Sequence, residues 1–265
     1  MYLKILISRG GVAVTYRDEN SVFEKIGTFV MFKELQSILK KVSSLSSESL
    51  SEIIFTQNKF NLDILYKDHP EYLKESWTKR KDKRLDKPIF SRVDAFTIEP
   101  TTKKYYKVIG IHKLKREWRY IDEKYIDKSH ENLFKWKVIL PVSNGSGALG
   151  EVLSTPLIGE PLIGEPLIGY TRSFIGIGAF DNEIEARSLF KYIKTKFARV
   201  MLGILKITQD NTAEKWKYVP LQDFTSNSDI DWTKSIHEID EQLYKKYNLS
   251  EEEIEFIETK VKEMG

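Results

Sequence analysis

Apolar positions recur at helical spacing in three places along the chain. Phe32, Leu35, Ile38, Leu39 and Val42 predict a helix over 31–42. Leu189, Phe190, Ile193, Phe197, Val200, Met201, Ile204 and Leu205 form a stripe that predicts a long helix over 183–208. Asn182 with Glu185 reads as its capping box. Ser235 with Glu238, and Ser250 with Glu253, mark two further helix starts, the first helix ending near Asn248. Leu243, Tyr244, Tyr247, Ile254 and Ile257 are then expected to bury together in a C-terminal helical hairpin. Pro220, Phe224 and Trp232 are expected to anchor the loop before it.

Between these regions the pattern changes to short runs rich in aromatic and β-branched residues. Phe96–Ile98, Tyr105–Ile111, Trp118–Ile121, Phe134–Leu140 and Arg172–Phe180 are broken by turn formers and predict strands. Leu50–Phe55 reads as a short apolar turn, and 66–87 as a polar loop or exposed helix. Residues 156–169 read PLIGE-PLIGE-PLIG. A period of five fits neither strand nor helix, and a proline opens each copy, so an extended surface loop is expected. The fold class that emerges is α+β.

Charge sharpens this picture only locally. The net charge of +3 over 265 residues carries little information. Between Lys74 and Lys124, however, 16 Lys/Arg face 8 Asp/Glu, and between Arg187 and Lys217 the count is 8 against 2. From Gln222 to Gly265 it reverses to 5 against 12. Two basic stretches with interleaved aromatics and an acidic end point toward a polyanion-binding body. The plainer alternative is a set of solvated charged faces.

Candidate chemistry is sparse. The chain has no cysteine, which excludes disulfides, thiol nucleophiles, and cysteine-ligated zinc or iron–sulfur sites. His69, His112, His130 and His237 are scattered, without metal-ligand spacing. Gly145, Gly147 and Gly150 make a literal GxGxxG. The helix that a dinucleotide site needs after it is missing, so a glycine-rich loop is the better reading. None of the eight prolines neighbours another or follows Asn or Asp, so the Asn/Asp-Pro-Pro-aromatic pocket of base-flipping methyltransferases is missing. An alternative is a Mg²⁺-dependent endonuclease using Asp94, Asp122 and Lys124, with two carboxylates for the metal and a lysine beside the attacking water. No apolar run approaches the roughly 20 residues of a membrane helix. Arg9 and Arg17 after the short N-terminal apolar patch do not fit a signal peptide, so a cytoplasmic chain without membrane contact is expected.

FKYIKTKFARVMLGILKITQDN, WKYVPLQDFT, DIDW and IDEQLYKKYNLSEEEIEFIE, between Phe190 and Glu258, closely resemble the C-terminal part of bacterial type II restriction–modification adenine methyltransferases. RGGVAVTYRD upstream resembles the junction between catalytic and target recognition domains in that family. KPIFSRVDAF, RYIDEKYI and KWKVILPVSNGSG continue the likeness more loosely. The resemblance covers nearly the whole chain and is most specific from Tyr192 to Glu258. It implies a DNA target recognition domain similar to the specificity-subunit modules of type I systems. The implied fold is a curved mixed β-sheet with flanking helices. Residues 1–60 would join a missing catalytic half, 61–232 would form the recognition domain, and 233–265 the helical hairpin. Double-stranded DNA is the implied partner, with a methyltransferase or endonuclease domain or subunit beside it. No cofactor is expected in this chain, S-adenosylmethionine and Mg²⁺ belonging to the catalytic half or partner. Lys/Arg in 79–119 and 187–217 can meet phosphates, and base edges are read by Arg, Lys, Asn or Gln on supported loops or strands. The candidate DNA-binding residues are Lys79, Arg80, Arg84, Arg92, Lys113, Arg116, Arg119, Arg172, Lys206 and Gln209.

Overall fold

The computed structural model describes residues 30, 32–74, 84–144, 149 and 157–264. Lys79, Arg80 and the Gly145–Gly150 motif lie outside that range, apart from residue 149. Helices α1 (Lys33–Leu45), α2 (Leu62–Asp68), α3 (Glu183–Lys194), α4 (Lys196–Leu202), α5 (Ile236–Lys246) and α6 (Glu251–Lys260) surround two sheets. The strands are β1 (Ile54–Phe55), β2 (Tyr105–His112), β3 (Lys115–Asp122), β4 (Trp136–Pro141), β5 (Leu162–Gly164), β6 (Ile168–Tyr170) and β7 (Phe174–Phe180). The α+β expectation is met, with the strands divided between two sheets. One has four antiparallel strands in the order β1-β7-β4-β5. The other has the order β3-β2-β6, with β2–β3 antiparallel and β2–β6 parallel.

The largest core lies between the four-stranded sheet and the helices. The α1 stripe Leu35, Ile38, Leu39 and Val42 is buried as its spacing predicts. Leu243, Tyr244, Tyr247 and Ile257 of the C-terminal hairpin join the same core, whereas Ile254 is only half-buried. Both hairpin capping boxes form. Glu238 N–H donates to Ser235 Oγ at 3.3 Å, and Ser235 N–H returns to Glu238 Oε2 at 2.9 Å. Ser250 N–H likewise donates to Glu253 Oε2 at 2.7 Å. Lys41 of α1 reaches the same carboxylate at 2.7 Å and ties the first helix to the last. At Asn182 only half of the expected box is made. Its Oδ1 accepts from Glu185 N–H at 3.0 Å, but Glu185 holds the Asn182 side-chain amide rather than its backbone.

The long helix expected over 183–208 is broken. Thr195, at φ −60 and ψ 149, ends α3 and opens α4, and α4 stops at Leu202. Thr195 Oγ1 donates to Tyr192 O at 2.6 Å and accepts from Ala198 N–H at 3.1 Å. The backbone donors freed at the break go to buried Asp240 of α5, from Lys196 N–H at 2.9 Å and Phe197 N–H at 2.8 Å. A tertiary acceptor thus offsets the lost helical bonds. Burial pushes the Asp240 carboxyl up to about 6 against the pull of those two donors.

The PLIGE repeat is a correction. Its three copies adopt different structures rather than one surface loop. Leu157 and Ile158 of the first are buried in the main core. Leu162–Gly164 of the second is β5, paired to β4. The third supplies a turn and then β6, paired to β2 of the other sheet. In that turn Ile168 N–H donates to Glu165 O at 3.2 Å, with Pro166 and Leu167 in the middle. Leu167 has φ 70. This is the type II arrangement, which favours glycine at the position Leu167 holds. Leu167→Gly is therefore expected to raise the thermal midpoint by about 2 °C, the relieved strain exceeding the added chain entropy. An unchanged or lower midpoint in a thermal melt would show that the leucine contacts outweigh the strain.

A second core, around Phe60, Leu85, Phe90, Phe96, Tyr106 and Val108, backs one face of β2–β3. Phe96–Ile98 is not a strand there. Only Thr97 pairs, exchanging both backbone bonds with Tyr120 at 2.9 Å. The polar 66–87 stretch begins within α2 and continues as a short 3-10 segment, Pro70–Lys74.

Candidate nucleic-acid interface

The β2–β3 hairpin is built by alternation. Tyr106, Val108 and Ile121 face the second core, while Ile109, Ile111 and Trp118 face Tyr170 and Phe174. His112 pairs with Lys115, leaving a two-residue turn, Lys113-Leu114. Their φ values are 47 and 64. Left-handed backbone at both positions marks a type I′ turn, whose twist matches the strands but whose usual residues are Asn and Gly. A Lys-Leu turn gives no such signal in the sequence.

Two other segments meet the same end of this sheet. β6 runs parallel to β2, so both end on this side, and Thr171 N–H continues the ladder to Ile109 O at 2.9 Å. Arg172 follows, its N–H on Leu85 O at 2.8 Å, which joins it to the segment from Arg84 to Phe96. That segment packs its Phe90 ring at Gly110, where an added Cβ would lie 2.5 Å from the ring. Gly110 thus lets the two pieces close on each other. Lys113, Lys115 and Arg116 from the hairpin, Arg172 after β6, and Arg84, Lys87 and Arg92 from the packed segment are all exposed. Arg172 has a loose partner, Asp86 at 3.7 Å. Arg116 donates to the Glu160 backbone carbonyl at 2.8 Å and stands 5.8 Å from the centre of the Phe174 ring. These contacts aim its guanidinium, and the carbonyl leaves its full charge in place.

Other predicted residues are placed differently. Arg119 is largely covered and ion-pairs with Glu117, which also holds His112 Nδ1 at 2.9 Å. Burial works to raise the Glu117 carboxyl, but the His112 hydrogen bond and the Arg119 charge hold it below its ordinary range. Arg119 Nε is buried without a hydrogen-bond partner. It lies on the face that looks into the second core, so Arg119 supports the hairpin rather than its exposed side. Lys206 is fully buried, with its ammonium on Thr208 O at 3.0 Å and its pKa lowered by burial to about 8. Both are corrections, because charge counts along a sequence carry no information on burial. Gln209 is exposed, and its carbonyl takes Asn144 N–H at 3.2 Å.

Four more cations of the second basic stretch are engaged within the fold. Lys191 donates to the carbonyls of Trp232, Thr233 and Lys234 at 2.7–3.1 Å. Lys194 is buried beside Glu160, and Arg199 is fully buried with Nη1 on Lys262 O at 2.6 Å. Lys196 ion-pairs with Glu258.

For the alternative nuclease set, Asp122 accepts from Lys124 N–H at 3.0 Å as a local cap, and Lys124 Nζ pairs with Asp68 at 2.6 Å. Among the described residues no group of three or more His, Asp or Glu is placed to hold a metal ion. No helix among them is long and apolar enough to cross a membrane. Compared with known proteins, the chain matches no family model, and no curated protein matches it.

Proposed function

We propose that this chain binds duplex DNA through the basic end of the β3-β2-β6 sheet. In this reading it is the target recognition part of a restriction–modification methyltransferase or endonuclease and performs no chemistry itself. The observation that carries it is that folding joins the segment bearing exposed Lys87 and Arg92, through Phe90 at Gly110 and Leu85 at Arg172, to the hairpin that bears exposed Lys113, Lys115 and Arg116. Exposed charge brought together by folding is what a phosphate-tracking surface requires. The resemblance of residues 190–258 to adenine methyltransferases supports the same reading. The elements carrying that resemblance form the helical body that supports the four-stranded sheet, and a catalytic partner would dock beside them.

A gel-shift titration with duplex DNA across salt concentrations tests the reading. Affinity is expected to fall linearly with salt on a double-logarithmic plot, each phosphate contact adding about 0.9 to the slope. No retardation at low salt would overturn it.

A further inference from the structure

We infer that Leu114 is an apolar wedge that enters a groove of the duplex and prises apart a base step, kinking the DNA. This deepens the DNA-binding reading and rests on it. Leu114 is 97% exposed, more than any other large hydrophobic side chain among the described residues. It sits at the apex of a tight two-residue turn, at φ 64. A leucine in left-handed backbone costs roughly 1 kcal/mol that glycine or asparagine would avoid. Folding returns nothing for that cost, because so exposed a side chain has almost no packing.

Isolated exposed leucines are ordinary on protein surfaces. The surroundings of this one are what select its occupant. Lys113 and Lys115 flank it in sequence, Arg116 follows, and all three are exposed. An apolar protein pocket would have to strip water from these cations. A duplex offers phosphates on both sides of a stacked, apolar interior, and so matches the whole apex at once. Leucine is among the side chains that unstack base steps in this way, the lysines meeting the phosphates beside the opened step. The hairpin is held on its two faces, by the second core on one and by Tyr170 and Phe174 packed on its Ile109 and Trp118 on the other. It can therefore push a side chain into DNA without folding back.

The experiment uses the full chain and duplexes of about 30 base pairs with a fluorescence donor and acceptor at opposite ends, containing flexible TA steps. Anisotropy reports binding and energy transfer reports bending, in parallel. The wild-type chain is expected to bind and to bend the duplex by about 20° or more. Leu114→Asn, whose side chain tolerates the turn, should lose most of the bend when compared at protein concentrations that saturate the duplex. Binding by the wild type without bending, or equal bending by Leu114→Asn, overturns the wedge and leaves DNA binding standing. No binding by the wild type overturns the DNA-binding reading and the wedge together.

Discussion

Raising the pH from 7 to 10 is expected to stabilise the fold, and Lys137→Met to remove most of that gain. Lys137 of β4 is fully buried. Its ammonium donates to the carbonyls of Asn132 at 2.7 Å, Lys135 at 2.9 Å and Glu165 at 3.2 Å, with Leu133 O at 3.4 Å. Burial lowers its pKa to about 7 from an ordinary 10.5. The unfolded chain therefore keeps this proton up to pH 10.5, while the folded chain releases it near 7. Between those values the unfolded state binds more protons, so stability rises with pH, by on the order of 3 kcal/mol for a shift of this size. Lys206, lowered to about 8, works in the same direction. The buried tyrosines, whose pKa values burial raises, oppose this only above pH 10, where unfolded tyrosine begins to ionise.

Lys137→Met keeps the apolar stem and removes the donor. At pH 10 it is expected to cost about 2–3 kcal/mol, because the two N–H donors of the neutral amine are lost to carbonyls in a dry interior. Near pH 7 the cost should be smaller, since wild type is there burdened by a half-ionised buried amine. Urea denaturation of both proteins at the two pH values measures this. Parallel pH profiles would show that the Lys137 amine is not the titrating group. The site has a structural consequence as well. Glu165 belongs to the third-copy turn of the repeat, so Lys137 binds the step between β5 and β6 to the 132–135 turn.

That repeat shows why part of the fold was not legible in the sequence. PLIG occurs three times with the same local preferences, yet one copy fills a core, one pairs with β4 and one pairs with β2. Only the neighbours available to each copy decide its structure, and these come from distant parts of the chain. The break at Thr195 is the same kind of event, since its offset is Asp240, 45 residues away in another helix. By contrast, the Ser-x-x-Glu starts of α5 and α6 were legible because both partners of each cap lie within one turn. Of the candidate site, the basic stretch near the hairpin was visible as a count. The parallel β2–β6 pairing that brings Arg172 to the hairpin's end of the sheet was not, nor was the pairing of Arg119 with Glu117 or the burial of Lys206.

Reversing Lys113, Arg116 and Arg172 together to glutamate is expected to weaken DNA binding by about 100-fold or more at moderate salt, and to lower the salt slope by roughly 2 to 3. Three phosphate contacts would be lost and replaced by repulsion. All three side chains are exposed, so the thermal midpoint should hardly move. The natural comparison is Arg119→Glu, one residue from the exposed face. Arg119 is spent on Glu117 inside the hairpin. A second carboxylate there would remove the Glu117 ion pair and set like charges beside each other in a largely covered position, so Arg119→Glu should melt early. The two results together separate a DNA contact from a strut that carries the same charge. If the triple variant binds like wild type while remaining folded, the phosphate contacts lie elsewhere and this end of the sheet is not the interface. If Arg119→Glu folds normally and loses only affinity, Arg119 leaves Glu117 to reach DNA, and the hairpin must open at its own base to bind.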